Sequence, residues 1–230
     1  MKKNKVLITA GNTRIPIDRV RGIDNIFRGR TGAAIAKYFA EKGCEVTLLT
    51  SHPKLVVPEP NLTIVKYNTY DSLVSTMKTE IRTGAYDVVI HSSAVSDYSV
   101  EGTYKRTGSI ETNGRLKLEL VKLDSSGKIG SDHKELWMKL IPTMKIVDQI
   151  RKPWGFRGKL VKFKLQVDMD DEELLRVATR SMEHSKADFI VANTLEGMNK
   201  RAYIVSHGGM HVVSVSREDL PATLFEEVSI

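Results

Sequence analysis

The residues of this sequence best suited to chemistry follow the apolar run YDVVI, in the stretch HSSAVSDY. Ser92, Ser93 and Ala94 are small, and two of them carry hydroxyls. Asp97, just beyond them, is a carboxylate acceptor for hydroxyl or amino hydrogens. Together they make a tight, polar, singly acidic corner at the end of a buried strand. The competing reading of Asp97 is a cap or turn residue. A second polar set, Arg14, Asp18, Arg19, Arg21, Asp24, Asn25 and Arg28, crowds residues 12–28, between the apolar KVLITAG and the helix-like GRTGAAIAKYFAEKG. Loops this long in compact domains are functional or disordered. Polar content and a place at the C-terminal edge of a strand favour function here.

Other chemistries fit less well. A dinucleotide fold turns from strand to helix through a compact G-x-G-x-x-G, whereas here Gly11 ends the strand and Gly29 and Gly32 open the helix. The second strand ends LLTSHP, with no acidic residue for an adenosine ribose. Tyr38 and Lys42 form a Tyr-x-x-x-Lys inside the first helix, where surface and core roles account for them. His52, His91, His133, His184, His207 and His211 are dispersed without an accompanying carboxylate or cysteine cluster, and no metal ligand is assigned. There is no G-x-S-x-G elbow.

These groups need elements to hold them. KVLITAG reads as a buried parallel strand, 29–43 as a helix, CEVTLLT as a second strand and NLTIVKYN as a short third. Leu73, Met77 and Ile81 mark a helix over 70–84, and YDVVIHSSA is strand four. This order predicts an α/β, Rossmann-like, doubly wound and mostly parallel sheet. The rhythm breaks after strand four. Residues 114–128 alternate as a half-exposed antiparallel strand with 131–142 as its partner, giving a β-rich flap over about residues 99–140. A short helix at 143–152, a strand at 159–168, a helix capped by Asp170 or Asp171, the strand ADFIVAN and a hairpin around His-Gly-Gly complete one domain, residues 1–230.

Composition sets outer bounds. The chain has 230 residues, 41% hydrophobic and 27% charged, as in ordinary globular proteins. The single cysteine, Cys44, excludes an internal disulfide and reads as a small buried hydrophobe. The apolar run after MKKNK is too short for a signal peptide, and nothing approaches a membrane span. A cytoplasmic protein without membrane partners is expected. Net charge is +7, from 35 Lys+Arg and 28 Asp+Glu. The basic residues are scattered, which argues against nucleic acid; a positive field that draws in a polyanionic small substrate explains the balance equally well.

The segments VLITAGNTRIPIDRVRGIDN, GRTG, SSAVSDY, KIGSDHKELWMKLIPTMKIVDQI, VKFKLQVD and KADFIVAN, in this order, resemble the phosphopantothenate–cysteine ligases (phosphopantothenoylcysteine synthetases). The likeness is to the free-standing bacterial form and runs to about Asn193. It implies a ligase of coenzyme A biosynthesis that uses CTP, with Mg2+, to activate the carboxylate of 4'-phosphopantothenate as an acyl-nucleotide, which cysteine then attacks. Matched residue by residue, Ser92, Ser93 and Ala94 line the nucleotide, Asp97 contacts its cytidine part, Met144, Lys145, Ile146 and Val147 wall it, and Phe163 packs on the base. Arg180 matches the basic residues of the following helix. Lys128 is the flap lysine that reaches the triphosphate, and Asn25 converts the acyl-nucleotide. Gly11, Arg21 and Arg28 fall on the substrate side. The family's dimeric habit implies a homodimer whose flap completes the partner's site.

The chain departs from that pattern where Gly11-Asn12 replaces Gly-Gly and Phe27-Arg28 replaces a pair of hydroxyl residues. Two alternatives therefore stay open. One is a divergent paralogue that joins or senses another carboxylate; the other is an NAD(P)-dependent oxidoreductase.

Overall fold

The computed structural model describes residues 3–228; Met1 and Lys2 of the basic start, and residues 229–230, lie outside the described residues. Six parallel strands form the centre of the main sheet: β1 (Lys5–Ala10), β4 (Glu45–Thr50), β5 (Leu62–Lys66), β6 (Val88–His91), β10 (Lys159–Gln166) and β11 (Phe189–Thr194). The antiparallel hairpin β12 (Arg201–Ser206) and β13 (His211–Ser216) extends one edge. The order is β13-β12-β11-β10-β6-β1-β4-β5. From β1 the chain winds outward through β4 and β5, then returns to the other side of β1 with β6. The direction of winding therefore reverses between β1 and β6, and a crevice opens at their C-terminal ends.

Helices cover both faces because these strands are apolar on both. Helix α1 (Arg30–Glu41) buries Ala33, Ile35, Ala36, Phe39 and Ala40 against one face, where Phe39 meets Phe225 of α5 (Leu220–Glu227) edge to face at 5.1 Å. The other face takes α2 (Tyr70–Thr83), α3 (Ile146–Ile150) and α4 (Asp171–Ser185). Leu73, Met77 and Ile81 of α2 are all buried, as their spacing requires. Thr69 and Ser72 start α2 with a reciprocal capping box. Asp170, rather than Asp171, caps α4, accepting from Glu173 N at 2.9 Å.

Two regions differ from the sequence expectation. Residues 12–28 are more ordered than a loop: β2 (Arg14–Pro16) pairs antiparallel with β3 (Gly22–Asp24). In the flap, β7 (Tyr98–Thr112) is a long strand that the alternation pattern missed, flanked by β8 (Arg115–Lys122) and β9 (Trp137–Pro142) in the order β8-β7-β9. The 131–142 segment thus partners β7 and not the 114–128 strand. Bulges at Glu101 and Thr107 shift the register of β7. Each inserts one residue and inverts the inside–outside phase, so no continuous alternation marks the strand.

Candidate active site

The crevice between β1 and β6 is built by two chain segments running side by side. Ala94 N donates to Gly11 O at 2.8 Å, and Thr13 N to Ala94 O at 3.3 Å. Thr13 is fully buried, and its Oγ1 accepts from Ser96 N at 2.9 Å. Ser92 Oγ donates to Thr9 O at 2.6 Å, and the Tyr67 hydroxyl lies 2.8 Å from Ala10 O and 3.0 Å from Ser93 Oγ. Burial pushes that phenol up to about 12, so it serves as a neutral donor. The hydroxyls of the HSSA run therefore stitch β6 to β1 and leave a floor of small residues.

Glycines let the helix close onto this floor. Gly29 has φ 81°, and a side chain there would place its Cβ 2.0 Å from Gly11 N. At Gly32 a Cβ would lie 2.5 Å from Ser92 Oγ and 2.8 Å from the Ala10 methyl. The start of α1 thus lies directly on the ends of both strands.

A cavity of about 680 Å3 opens above this contact. It gathers Gly11, Asn25, Arg28, Ser92, Ser93, Ala94 and Phe163 from the residues the sequence singled out. Asn25 bends the loop toward it: its Oδ1 accepts from Phe27 N at 3.2 Å, and its carbonyl accepts from the Asn12 amide. Phe163 extends from β10 over the α1 side of the sheet and is only partly buried, leaving an aromatic face toward the ligand space.

A second group lies where the chain leaves the crevice toward α2 and α3. Asp97 is exposed and pairs with Lys145. Its carbonyl accepts from Thr143 N at 2.9 Å, and Thr143 Oγ1 donates to Ser96 O at 2.7 Å. Met144 is held through its carbonyl by Tyr70, while Ile146 is buried and Val147 packs beside it. Asp97 and residues 144–147 thus form one wall, apart from the 680 Å3 cavity.

Arg21 and Lys128 sit in neither group. Arg21 donates to the buried carboxylate of Asp18 at 2.6 and 3.0 Å and to Ile129 O at 2.7 Å, while Asp18 also accepts from Ile129 N at 3.1 Å. The Arg21 guanidinium, with backbone donors from Val20, Arg21 and Ile129, holds Asp18 well below the usual carboxylate range. This clamp ties the 12–28 segment to the flap loop, and Lys128, next to Ile129, is exposed with no ion pair among the described residues. Arg180 is exposed on α4 and does not line the 680 Å3 cavity.

Sequence reasoning missed several groups here. Arg30, Lys164, Asn193, Asn199, Arg201 and Arg217 also line the large cavity. Asn193 ends the matched strand ADFIVAN; the later ones lie past the segments that carried the resemblance. The buried pair His91 and Lys162, adjacent in register on β6 and β10, was likewise unread as a pair.

The family model described as the DNA/pantothenate metabolism flavoprotein C-terminal domain matches residues 1–125, which include β1, the 12–28 segment, α1 and the HSSA corner. The chain belongs to this family. Its relatives place the rest of the chain in the same frame. The coenzyme A biosynthesis bifunctional protein CoaBC of Thermococcus kodakarensis is 29% identical over 234 residues, covering 99% of this chain and 51% of the relative. Phosphopantothenate–cysteine ligase CAB2 of Saccharomyces cerevisiae is 22% identical over 265 residues, covering 90% of this chain and 69% of the relative. A crystal structure of a DNA/pantothenate metabolism flavoprotein from Streptococcus pneumoniae shares the fold, with a TM-score of 0.80 and 27% identity over 98% of both chains. The chain spans about half the length of the first CoaBC relatives it matches. No helix among the described residues is long and apolar enough to cross a membrane.

Proposed function

We propose that this chain joins 4'-phosphopantothenate to cysteine in coenzyme A biosynthesis, driven by a nucleoside triphosphate, with CTP the expected one. The observation that carries the reading is the family membership, extended over nearly the whole chain by relatives that include one named a phosphopantothenate–cysteine ligase. In the proposed chemistry the carboxylate attacks the α-phosphorus and pyrophosphate leaves. The cysteine amine then attacks the acyl carbon, an amide forms, and nucleoside monophosphate and a proton depart.

The geometry supports assigned roles. The small-residue floor at Ser92, Ser93 and Ala94 would admit the nucleotide, with Phe163 beside it in the same cavity; Asp97 and residues 144–147 lie outside that cavity, and their nucleotide role rests on the resemblance. Asn25 faces the same cavity. Its neutral amide would orient the acyl carbonyl or the incoming amine without competing as a nucleophile. Arg28 replaces a hydroxyl with a charge suited to the substrate phosphate. Arg21 supports the site in a different manner, because its fork is already engaged with Asp18 and Ile129. It positions the flap loop and Lys128, whose ammonium is free to meet the triphosphate. Among the described residues no three His, Cys, Asp or Glu side chains converge on one point. Mg2+ would thus be carried chiefly by the phosphates it neutralises. The three-stranded flap exposes Leu116, Leu120, Trp137, Met138 and Leu140, an apolar surface that a second copy of the chain would cover in a homodimer.

The deciding assay is pyrophosphate release in the presence of CTP, Mg2+, 4'-phosphopantothenate and cysteine. Stabilisation by NADPH but by no triphosphate would refute the proposal. Lys128→Ala should lower the turnover number for pyrophosphate release more than it raises KM, since its charge acts on the transition state. An unchanged turnover number would remove Lys128 from the mechanism.

A further inference from the structure

The large cavity is strongly cationic. Arg28, Arg30, Lys164, Arg201 and Arg217 line it, and no Asp or Glu does among the described residues. These five cations are not equivalent. Arg201 is committed to Asp171, whose carboxylate oxygens lie 2.7 and 2.5 Å from its Nη2. Arg28 and Arg30 are exposed. Lys164 and Arg217 are partly buried, and the Arg217 guanidinium is held only by neutral groups.

Arg217 lies in the turn between β13 and α5. Its Nη1 donates to Met198 O at 2.9 Å and its Nη2 to Thr31 Oγ1 at 3.0 Å, while its backbone N donates to Lys200 O at 3.2 Å. Three separate parts of the chain, α1, the 195–200 turn and the β13–α5 turn, thus hold one guanidinium at the cavity wall. It forms no ion pair with a carboxylate among the described residues. A guanidinium stays protonated at any working pH and carries five N–H donors. A carbonyl and a hydroxyl occupy two of them, which fixes the fork and leaves donors for an anion. An arginine serving only as a strut would gain more from a carboxylate partner, and here the partly buried charge is left uncompensated.

We infer that Arg217 is a phosphate-binding residue of this cavity, pre-oriented by Thr31 and Met198 to receive a phosphate group of a bound substrate. The inference rests on the proposed reading of the cavity as a site for phosphorylated substrates. Two substrates of that reaction carry phosphate, the phosphopantothenate monoester and the nucleoside triphosphate. The recognising chemistry is the same for both: a fixed planar fork against phosphate oxygens.

Calorimetric titration of wild type, R217M and R217K with 4'-phosphopantothenate, pantothenate, CTP and cytidine tests it. R217M should weaken binding of a phosphorylated ligand about 10-fold or more and leave its unphosphorylated counterpart unchanged, with R217K recovering part of the loss. A loss confined to phosphopantothenate places the acceptor's phosphate at Arg217; a loss confined to CTP places the nucleotide's phosphates there. Equal effects on phosphorylated and unphosphorylated ligands, or no effect, overturn the inference while leaving the proposed function intact. A wild type that binds neither phosphorylated ligand overturns both. Arginine modification of the wild type by phenylglyoxal covers the case in which R217M does not fold. The peptide carrying Arg217 should be protected by a phosphorylated ligand and not by pantothenate or cytidine, and absence of protection refutes the assignment.

Discussion

Replacing Lys162 with methionine should make this protein more stable at neutral pH and change how its stability responds to alkali. Lys162 is 7% exposed in the middle of β10. Its Nζ is held by Ser181 O at 3.0 Å, Ser181 Oγ at 2.9 Å and Ser185 Oγ at 3.1 Å, all neutral acceptors on α4. Burial is the main reason its ammonium is pushed down from 10.5 to about 8; Asp148 opposes the shift, and Lys164 and Lys145 add to it. The sign follows from where the proton sits. Below pH 8 both folded and unfolded chains hold it, and the folded state bears the full cost of a buried charge. Between pH 8 and 10.5 the folded chain releases the proton while the unfolded chain keeps it, so stability contributed by this group rises with pH. The interval from about 8 to 10.5, at about 1.4 kcal/mol per pH unit, is about 3 kcal/mol. Residual solvent screening lowers the expected effect to about 1–3 kcal/mol. Methionine fits the stem's volume, and buried Ser185 Oγ still reaches Ser181 O at 3.0 Å and Met182 O at 3.2 Å, while Ser181, whose Oγ loses Lys162, is only partly buried. Urea unfolding of both proteins at intervals from pH 7 to 10.5 gives the difference directly, and other titrating groups cancel in it. The variant's advantage should be largest at pH 7 and shrink toward zero by pH 10.5. A variant less stable at pH 7, with a difference that does not change with pH, would refute the reasoning.

Three further outcomes follow from the same structure. Gly32→Ala should cost about 1–3 kcal/mol in denaturant unfolding despite alanine's better helix propensity, because its Cβ would lie 2.5 Å from Ser92 Oγ; an unchanged midpoint would show that α1 does not rest on β6 as described. Buried His91 is pushed down to about 4 from 6.5 by desolvation and by Lys162, so the unfolded chain takes up a proton between those values and the folded chain does not. Stability should fall as pH drops from 6.5 to 4, and His91→Gln should flatten that limb in a melting-temperature profile. Under the proposed function, Asn25→Ala should leave CTP affinity within about twofold while amide formation falls at least about 10-fold; equal losses in both would make Asn25 a scaffold residue.

Local patterns carry much of this protein. The period-3.6 spacing of Leu73, Met77 and Ile81, the continuous apolar strands and the capping asparate before α4 are written in adjacent residues, because each reflects a backbone repeat or a local hydrogen bond. The alternation of strand and helix likewise implied a doubly wound sheet. The corner at Ser92 to Ala94 was legible for the same reason: small polar residues at the end of an apolar run mark a strand terminus with space above it. Long-range packing decided the rest. Bulges at Glu101 and Thr107 hid β7 by inverting its phase, and only pairing with β8 and β9 defines it as a strand. Arg21 and Arg217 are both arginines in polar turns with acidic residues within three positions, and sequence alone does not say which of them is paired. One is spent on Asp18 because the flap loop folds back over it. The other faces the large cavity without an ion pair among the described residues, because the β12–β13 hairpin returns the turn before α5 to the start of α1. Ile129 lies 108 positions from Arg21 and Thr31 lies 186 from Arg217, so tertiary packing, rather than any local pattern, brings these partners together.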